Sequence, residues 1–182
     1  TVVLQLVDCH TGKLLTQESV RNHQRDKGLE ILSRIFYTKD RPDHLEELRL
    51  LTLKSILEGM ENIKKRTDID VFQCGAMVIS GNNAMIHFLT GLDPLPIFAS
   101  PYAVWADQLG FCPASDLELP LSCPVYLVPA RANYLGGDII SGLMDVDIQE
   151  KEGIQAFFDV GTNGELVIGN RDFLLCGAGA AG

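Results

Sequence analysis

The length, composition and charge of the chain limit the classes of protein to which it can belong. Its 182 residues are 46% hydrophobic and 21% charged, a globular composition with enough apolar material for a core. The net charge of −9 argues against a surface that binds nucleic acid or anionic lipid. No apolar run reaches the ~20 residues of a membrane-spanning helix, and Thr1–Leu4 lacks a basic leader and a cleavage site. We therefore expect a cytoplasmic protein with no nucleic-acid or membrane partner.

The cysteines and histidines indicate no metal cluster. The five cysteines form no Cys-x-x-Cys pair, and the four histidines are scattered along the chain. Most of the cysteines lie in apolar stretches such as Val71–Ile79 and Phe173–Cys176. Reduced, buried thiols are therefore the expected state of these side chains.

The first third of the chain predicts a β-hairpin followed by helices. Strands over 1–7 and 14–20 flank a polar turn that contains Gly12. Apolar residues at helical spacing predict a helix near 28–37, where Arg34 is expected to be a solvated side chain. A long amphipathic helix is predicted near 44–65, with Asp43 as a candidate cap and Lys64-Lys65-Arg66 at its last turn.

The rest of the chain predicts strands that alternate with helices. Val71–Ile79 is nearly continuous apolar sequence, which is typical of a strand covered on both faces. Residues 93–123 are rich in proline and are expected to be irregular or to hold only short elements. The other predicted elements are a helix near 82–91, a buried strand at Val125–Val128, a helix at Ile139–Met144, a buried strand at Ile154–Val160, and a hairpin of Leu166–Ile168 with Phe173–Cys176.

The order of these elements predicts an α/β fold. Strands that alternate with helices imply a largely parallel sheet with helices on its faces. The hairpin that starts the chain resembles the one that follows residue 164, so we expect two similarly folded halves, of which the second is only begun.

Three polar turns follow three predicted buried strands, at Ser80–Asn83, Asn133–Asp138 and Asp159–Glu165. Ligands of open α/β sheets bind at the carboxyl ends of strands, so these turns are candidates to line one crevice. Each of the first two has a plainer interpretation. Ser80–Asn83 fits a loop with a helix cap, and Asp138 fits the cap of a helix that begins at Ile139.

The turn at 159–165 carries the sharpest chemical signal. Gly161 and Gly164 allow the backbone N–H groups to converge on a phosphate. Asp159 would lie beside that phosphate and hold Mg²⁺, usually through water, while Thr162 and Asn163 add hydrogen-bonding side chains. Asn-Gly between strands is also the commonest hairpin turn signal, and on this segment alone the plain hairpin turn is favoured.

Several segments, in order along essentially the whole chain, carry a resemblance to a known family. They are Asn22-x-Gln24 with Gly28, Ser33-Arg34-Ile35, Gly81-Asn82-Asn83, Tyr134-x-Gly136-Gly137-Asp138, Asp159–Asn170 and the ending Cys176-x-Ala178-x-Ala180-Ala181-Gly182. Together they resemble the reductive activators of corrinoid-dependent enzymes. Departures from the family pattern are His23 in place of Pro, Glu30 in place of Asp, and Asn83-Ala84 in place of Thr-Thr.

The resemblance implies a particular version of the α/β fold. It is the ribonuclease H-like fold of the actin, sugar-kinase and heat-shock chaperone superfamily, a mixed sheet flanked by helices with the start of a second similar half. Residues 1–150 would form the first subdomain, without its first strand and first phosphate motif. Residues 151–182 would begin the second subdomain with the second phosphate motif.

The resemblance also implies a function for the parent protein. Such activators use ATP to return Co(II) corrinoid proteins to Co(I), with an electron from a ferredoxin domain. ATP and Mg²⁺ would be the ligands of this chain, and the two-iron two-sulfur cluster would lie only in a domain absent from it. A corrinoid methyl-carrier protein would be the partner, a homodimer is left open, and this piece alone is expected to bind ATP weakly and to hydrolyse none.

The resemblance assigns roles to residues in two of the turns. Asp159 and Asp138 would be the catalytic carboxylates, and Asp159 would organise Mg²⁺. The phosphates would be held near Gly136 and Gly137 and, in the last turn, by Gly161, Thr162, Asn163 and Gly164, while the direction of Glu165 is undetermined. Two alternatives stay open: another ATPase activator or sugar-kinase-like enzyme of the superfamily, and a non-enzymatic actin-like module in which nucleotide is only structural.

Overall fold

A computed structural model describes residues 1–100, 102–161 and 163–180. Its helices are α1 (Ile31–Thr38), α2 (Pro42–Thr67), α3 (Asn83–Thr90), α4 (Leu95–Phe98) and α5 (Gly137–Val146). Its strands are β1 (Val2–Val7), β2 (Leu14–Val20), β3 (Met77–Ile79), β4 (Gly110–Pro113), β5 (Pro124–Leu127), β6 (Gln155–Val160), β7 (Asn163–Asn170) and β8 (Phe173–Ala180). The strands form three sheets in the orders β1-β2, β3-β5-β4 and β6-β7-β8. The mixed α/β class predicted from the sequence is confirmed.

The chain divides into two compact units. Unit 1 contains residues 1–77, 87–93 and 111–126, and unit 2 contains residues 78–86, 94–110 and 127–182. The division into subdomains 1–150 and 151–182 stays a prediction. Among the residues that the structure describes, no helix is long and apolar enough to cross a membrane.

Unit 1 is built on the predicted β1–β2 hairpin, which the structure confirms. The two strands pair antiparallel, with Val2 opposite Val20. Helix α2 begins at Pro42, a residue preorganised for the first helical position, and its basic last turn lies where the sequence predicts it. The N-cap is Arg41, so the prediction that Asp43 caps this helix is wrong. Arg66 anchors the end of α2 to the hairpin through an ion pair with Glu18 of 2.6 Å.

Arg34 differs from its prediction as a solvated residue, because the loop before α1 folds over it. Its side chain is only 7% exposed. Its Nε donates to the carbonyl oxygen of Gly28 at 2.9 Å, and its Nη2 donates to that of Leu29 at 3.2 Å. A third, longer hydrogen bond of 3.4 Å joins Nη1 to Oε1 of Gln24. These acceptors replace water around the guanidinium and allow the charge to be buried.

Two further predictions are wrong. Val71–Ile79 is not one buried strand: Val71–Gln73 form a 3₁₀ turn, the strand covers only Met77–Ile79, and Val78 is 64% exposed. Cys74 N donates to Val71 O, which closes that turn before the strand can begin. The thiols are free, as expected, but Cys9 and Cys176 are exposed and Cys123 is the one classed as buried.

Unit 2 packs α5 against the sheet β6-β7-β8. Its core contains Ile139, Leu143, Ile148 and Val167, with Leu135 and Phe157 packed against it. Strand β6 was predicted to be buried, but Phe158 and Val160 are exposed while Phe157 and Asp159 are half-buried. This alternation is that of a strand with one covered face, because successive side chains point to opposite sides. The β7–β8 hairpin is confirmed.

Candidate functional site

Two of the three polar turns are in direct contact within unit 2. Asn83 donates from Nδ2 to the carbonyl oxygens of Ala132 and Asn133, at 2.6 and 3.0 Å. The Oγ atoms of Ser80 and Ser141 lie 2.9 Å apart. The turn after β3 is therefore held against the segment that leads into α5.

Gly136 and Gly137 allow this close approach. A Cβ on Gly136 would lie 2.5 Å from Cα of Asn82 and 2.8 Å from the carbonyl oxygen of Gly81. A Cβ on Gly137 would lie 2.7 Å from the carbonyl oxygen of Val128. Real Cβ atoms do not approach backbone so closely, so a larger residue at either position would push the segments apart.

Asp138 lies in the first turn of α5. The N-cap of this helix is Gly136, so the prediction that Asp138 caps a helix beginning at Ile139 is wrong. Its Oδ1 accepts a hydrogen bond of 3.0 Å from the backbone N–H of Ile139. Burial raises the pKa of Asp138 above its usual value; the Ile139 hydrogen bond opposes this rise, and the negative charge of Asp159 adds to it. A negative side chain is thus held near the amino end of a helix, where the helix dipole favours it.

Asp159 and Glu165 face each other across the β6–β7 hairpin. The strands pair antiparallel, with Asp159 opposite Glu165 and Val160 opposite Gly164. Directly paired residues share one face of a sheet, so Glu165 lies on the face of Asp159. Burial raises the pKa of Glu165, and the charges of Asp159 and Asp138 raise it further. The three carboxyl groups therefore lie close enough to repel one another.

Strand β6 ends at Val160 and β7 begins at Asn163. Gly161 is exposed, and Asn163 and Gly164 begin β7. Thr162 and the side chain of Asn163 lie outside the described residues, so the hydrogen bonds predicted for them stay predictions. The β6–β7 hairpin is present, but Asn163 and Gly164 lie in β7 and do not form its turn, so the prediction of an Asn-Gly turn is wrong.

The acidic groups fit a divalent cation better than they fit a bare phosphate. Within the described parts of the chain, no group of three or more His, Cys, Asp or Glu side chains is arranged to hold a metal ion. Mg²⁺ needs no such cage, because it keeps several waters and binds through one or two carboxylates together with substrate phosphates. The binding of Mg²⁺ by Asp159 through water, with Asp138 as a second carboxylate, stays a prediction.

The sequence did not reveal the contacts that hold the turns together. The pairing of Ser80 with Ser141 and the hydrogen bonds of Asn83 join residues about 50 to 60 positions apart. The one signal that the sequence carried was the Gly136-Gly137 dipeptide, which indicates a close backbone approach.

The mixed α/β fold agrees with an actin-like protein of the ASKHA class. Residues 1–151 match the family described as the RACo middle region, and residues 153–182 match the C-terminal domain of RACo, the ASKHA domain. Because the first match spans most of the chain, the protein belongs to the RACo family. The family predicted from the ordered motifs is confirmed.

Two characterised proteins are similar over nearly the whole chain. The corrinoid activation enzyme RamQ of Eubacterium limosum is 29% identical over an aligned length of 180 residues, and the match covers 94% of this chain and 29% of RamQ. A solved structure, the reductive activator for corrinoid, iron-sulfur protein, is 36% identical with a TM-score of 0.94. That match covers 99% of this chain and 29% of the solved chain. The chain thus spans less than a third of the length of either relative.

Proposed function

We propose that this chain is part of an ATP-dependent reductive activator, which returns corrinoid proteins from Co(II) to Co(I). The proposal is supported by membership of the RACo family and by relatives that are named for corrinoid activation. The observation that carries the nucleotide site is the gathering of Asp138, Asp159 and Glu165 beside the β6–β7 turn. The partner is a corrinoid methyl-carrier protein, and the electron comes from a ferredoxin domain outside this chain.

Each part of the turn has a proposed role. The backbone N–H groups of Gly161–Gly164 bind phosphate oxygens, and the Thr162 hydroxyl adds a further donor. Asp159 orients the waters of Mg²⁺, with Asp138 as a second carboxylate. When bound, Mg²⁺ supplies the positive charge that lets phosphates approach three carboxylates. Gly136 and Gly137 keep the neighbouring segments close, so that these groups are positioned before nucleotide binds.

Nucleotide turnover supplies the free energy for an uphill electron transfer. Reduction of Co(II) to Co(I) requires a strong reductant, and the ferredoxin alone does not complete it under this proposal. A conformational change coupled to ATP hydrolysis acts on the corrinoid protein and makes the reduction favourable. ATP hydrolysis and corrinoid reduction are then expected to rise and fall together.

The variant Asp159→Ala in the full-length protein tests this proposal. We expect ATP turnover to fall by at least ~100-fold, because positioned charges at phosphoryl-transfer centres contribute several kcal/mol. Corrinoid reduction should fall in step, while electron transfer from the ferredoxin to a small artificial acceptor persists. Steady-state ATPase and cobalt absorbance assays measure the two activities, and circular dichroism checks the fold.

Asp172→Ala is the matched control, because Asp172 is an exposed acid in the β7–β8 turn of the same sheet. Both activities of this variant should equal those of the wild type. Wild-type ATP turnover in Asp159→Ala would make the 159–165 segment a plain hairpin turn. Loss of ATP turnover with full corrinoid reduction would separate the nucleotide site from corrinoid activation.

A further inference from the structure

Two thiols far apart in the sequence lie in contact within unit 1. The Sγ atoms of Cys74 and Cys123 are 3.5 Å apart, and both are free thiols. A disulfide bond measures about 2.0 Å between sulfurs. A closing movement of about 1.5 Å between these sulfurs would therefore bring them to bonding distance.

The two cysteines precede neighbouring strands of one sheet. Cys74 lies shortly before β3, Cys123 immediately precedes β5, and the two strands are adjacent in the order β3-β5-β4. Next to Cys74 is Gly75, around whose Cβ position no described atom lies within 4 Å. The chain on this side of the pair has room to adjust when the sulfurs approach.

The pair is accessible from one side. Cys123 is buried and Cys74 is half-buried. Although Cys123 contributes to the wall of an open cavity of about 470 Å³, only 7% of this residue is exposed, and Cys74 is not part of that wall. A small oxidant can thus reach Cys74 first, while Cys123 stays in contact with it as the second thiol.

We propose that Cys74 and Cys123 form a thiol–disulfide modification site that reacts with a low-molecular-weight disulfide. The Cys74 thiol first loses its proton, and because burial and the contact with Cys123 raise the Cys74 pKa to about 11, this step is slow at neutral pH and faster at alkaline pH. The Cys74 thiolate then attacks one sulfur of the oxidant, forms a mixed disulfide and expels one thiolate. Cys123 then loses its proton and attacks the Cys74 sulfur, which expels the second small thiolate. Two protein thiols are oxidised, the S–S bond of the oxidant is reduced, and the two protons pass to the leaving thiolates.

The bond would tie together the starts of two neighbouring strands. It would join the segments before β3 and β5 and restrict the unfolded chain between them. Strand β3 leads directly into the Ser80–Asn83 turn, so the oxidised form has a constrained entry into that turn. Cys9 and Cys176 are exposed, and Cys112 is half-buried in β4. Cys9 lies near enough to Cys74 to raise its pKa slightly, so Cys9→Ser is needed to isolate the Cys74–Cys123 pair.

The test uses the full-length protein with Cys9→Ser and Cys176→Ser, which leaves three of the five cysteines of this chain, and only the thiols of this chain are counted. The folded protein is treated with oxidised glutathione, alkylated and mapped by mass spectrometry. We expect free thiols to fall from three to one, with a peptide that links Cys74 to Cys123, and dithiothreitol should restore all three. In urea the same protein should no longer form the Cys74–Cys123 link in preference to other disulfides, because the contact between these two thiols exists only in the folded state.

Single substitutions in this background test the order of the steps. Cys123→Ser should stop the reaction at the mixed disulfide, with one glutathione on Cys74. Cys74→Ser should leave Cys123 unmodified over the same time, because Cys123 is buried. Three free thiols after treatment of the folded parent, or a link between Cys112 and Cys123 in place of the expected one, would overturn the proposal.

Discussion

Arg34 is a buried cation that donates hydrogen bonds to two backbone oxygens and to the side chain of Gln24. Burial lowers the pKa of its guanidinium, and the neighbouring charge of Arg25 lowers it further. Its hydrogen bonds to the oxygens of Gly28 and Leu29 hold the loop before α1. An apolar side chain in its place would remove the hydrogen bonds that Arg34 donates to these part-buried oxygens, and a hydrogen bond to a charged group contributes about 1.5–3 kcal/mol.

The variant Arg34→Met should therefore lose about 2–4 kcal/mol of unfolding free energy. Urea denaturation followed by circular dichroism measures the change. The control is Arg41→Met, since Arg41 pairs with Asp43 on the surface, where an ion pair contributes about 0–1 kcal/mol. Equal losses of unfolding free energy in the two variants would show that the hydrogen bonds of Arg34 do not stabilise the fold.

The raised pKa of Asp138 leads us to expect that the stability of the protein depends on pH. Its pKa in the folded protein is raised above the usual 3.8, chiefly by burial. A group of this kind makes its full contribution to the free energy of unfolding at pH values below its pKa in the unfolded chain. This contribution is lost as the pH rises through the higher pKa of the folded protein. The charged form of Asp138 therefore opposes folding at neutral pH.

Asp138→Asn should accordingly be more stable than the wild type at pH 7 without Mg²⁺. The unfolding free energies of the variant and the wild type should become equal as the pH falls toward the pKa of Asp138 in the unfolded chain. The reason is that the amide oxygen of Asn still accepts the hydrogen bond from Ile139. Urea unfolding at a series of pH values measures this difference. A variant less stable than the wild type at pH 7 would mean that the charge of Asp138 favours the fold.

At the scale of elements, Gly136 sets the distance between the start of α5 and the turn after β3, and Gly137 sets its distance to Val128, which follows β5. We expect Gly136→Ala and Gly137→Ala each to lower the unfolding free energy by about 1–3 kcal/mol, because a Cβ would clash with backbone that cannot give way cheaply. Thermal or urea unfolding measures both variants. Gly153→Ala is the control, because its nearest neighbour is a side-chain atom 3.9 Å away. A stability in Gly136→Ala equal to that of this control would refute the close-approach argument.

The elements that the sequence predicts well are those with a clear period. The β1–β2 hairpin and α2 have regular patterns, and their bounds agree closely with prediction. The segment Val71–Ile79 has only apolar composition, which a strand shares with a 3₁₀ turn, and so the short turn at Val71–Gln73 was missed. Within residues 93–123, α4 and β4 have four residues each, too few to show a period.

The site was predictable as a set of turns but not as a set of contacts. The rule that ligands bind at the ends of strands selected Ser80–Asn83, Asn133–Asp138 and Asp159–Glu165. The side of the sheet occupied by Glu165 became clear only from the pairing of β6 with β7. The burial of Arg34 depends on the path of a neighbouring loop, which no local pattern encodes.

For the whole molecule, the central claim is that the acidic site binds nucleotide only together with Mg²⁺. The chain carries a net charge of −9, and Asp138, Asp159 and Glu165 concentrate negative charge beside the β6–β7 turn. A triphosphate approaching this turn without a cation meets like charge at short range. The Mg²⁺ dependence of ATP affinity is therefore the property that separates a nucleotide site from a plain hairpin.

Calorimetric titration of the full-length protein with ATP, with and without Mg²⁺, tests this claim most directly. We expect removal of Mg²⁺ to weaken ATP binding to the wild type by at least ~10-fold, which corresponds to about 1.4 kcal/mol. Asp159→Asn should abolish most of this dependence, and Asp172→Asn should keep it. An Asp159→Asn variant whose ATP affinity depends on Mg²⁺ as strongly as that of the wild type would contradict the assignment of the site.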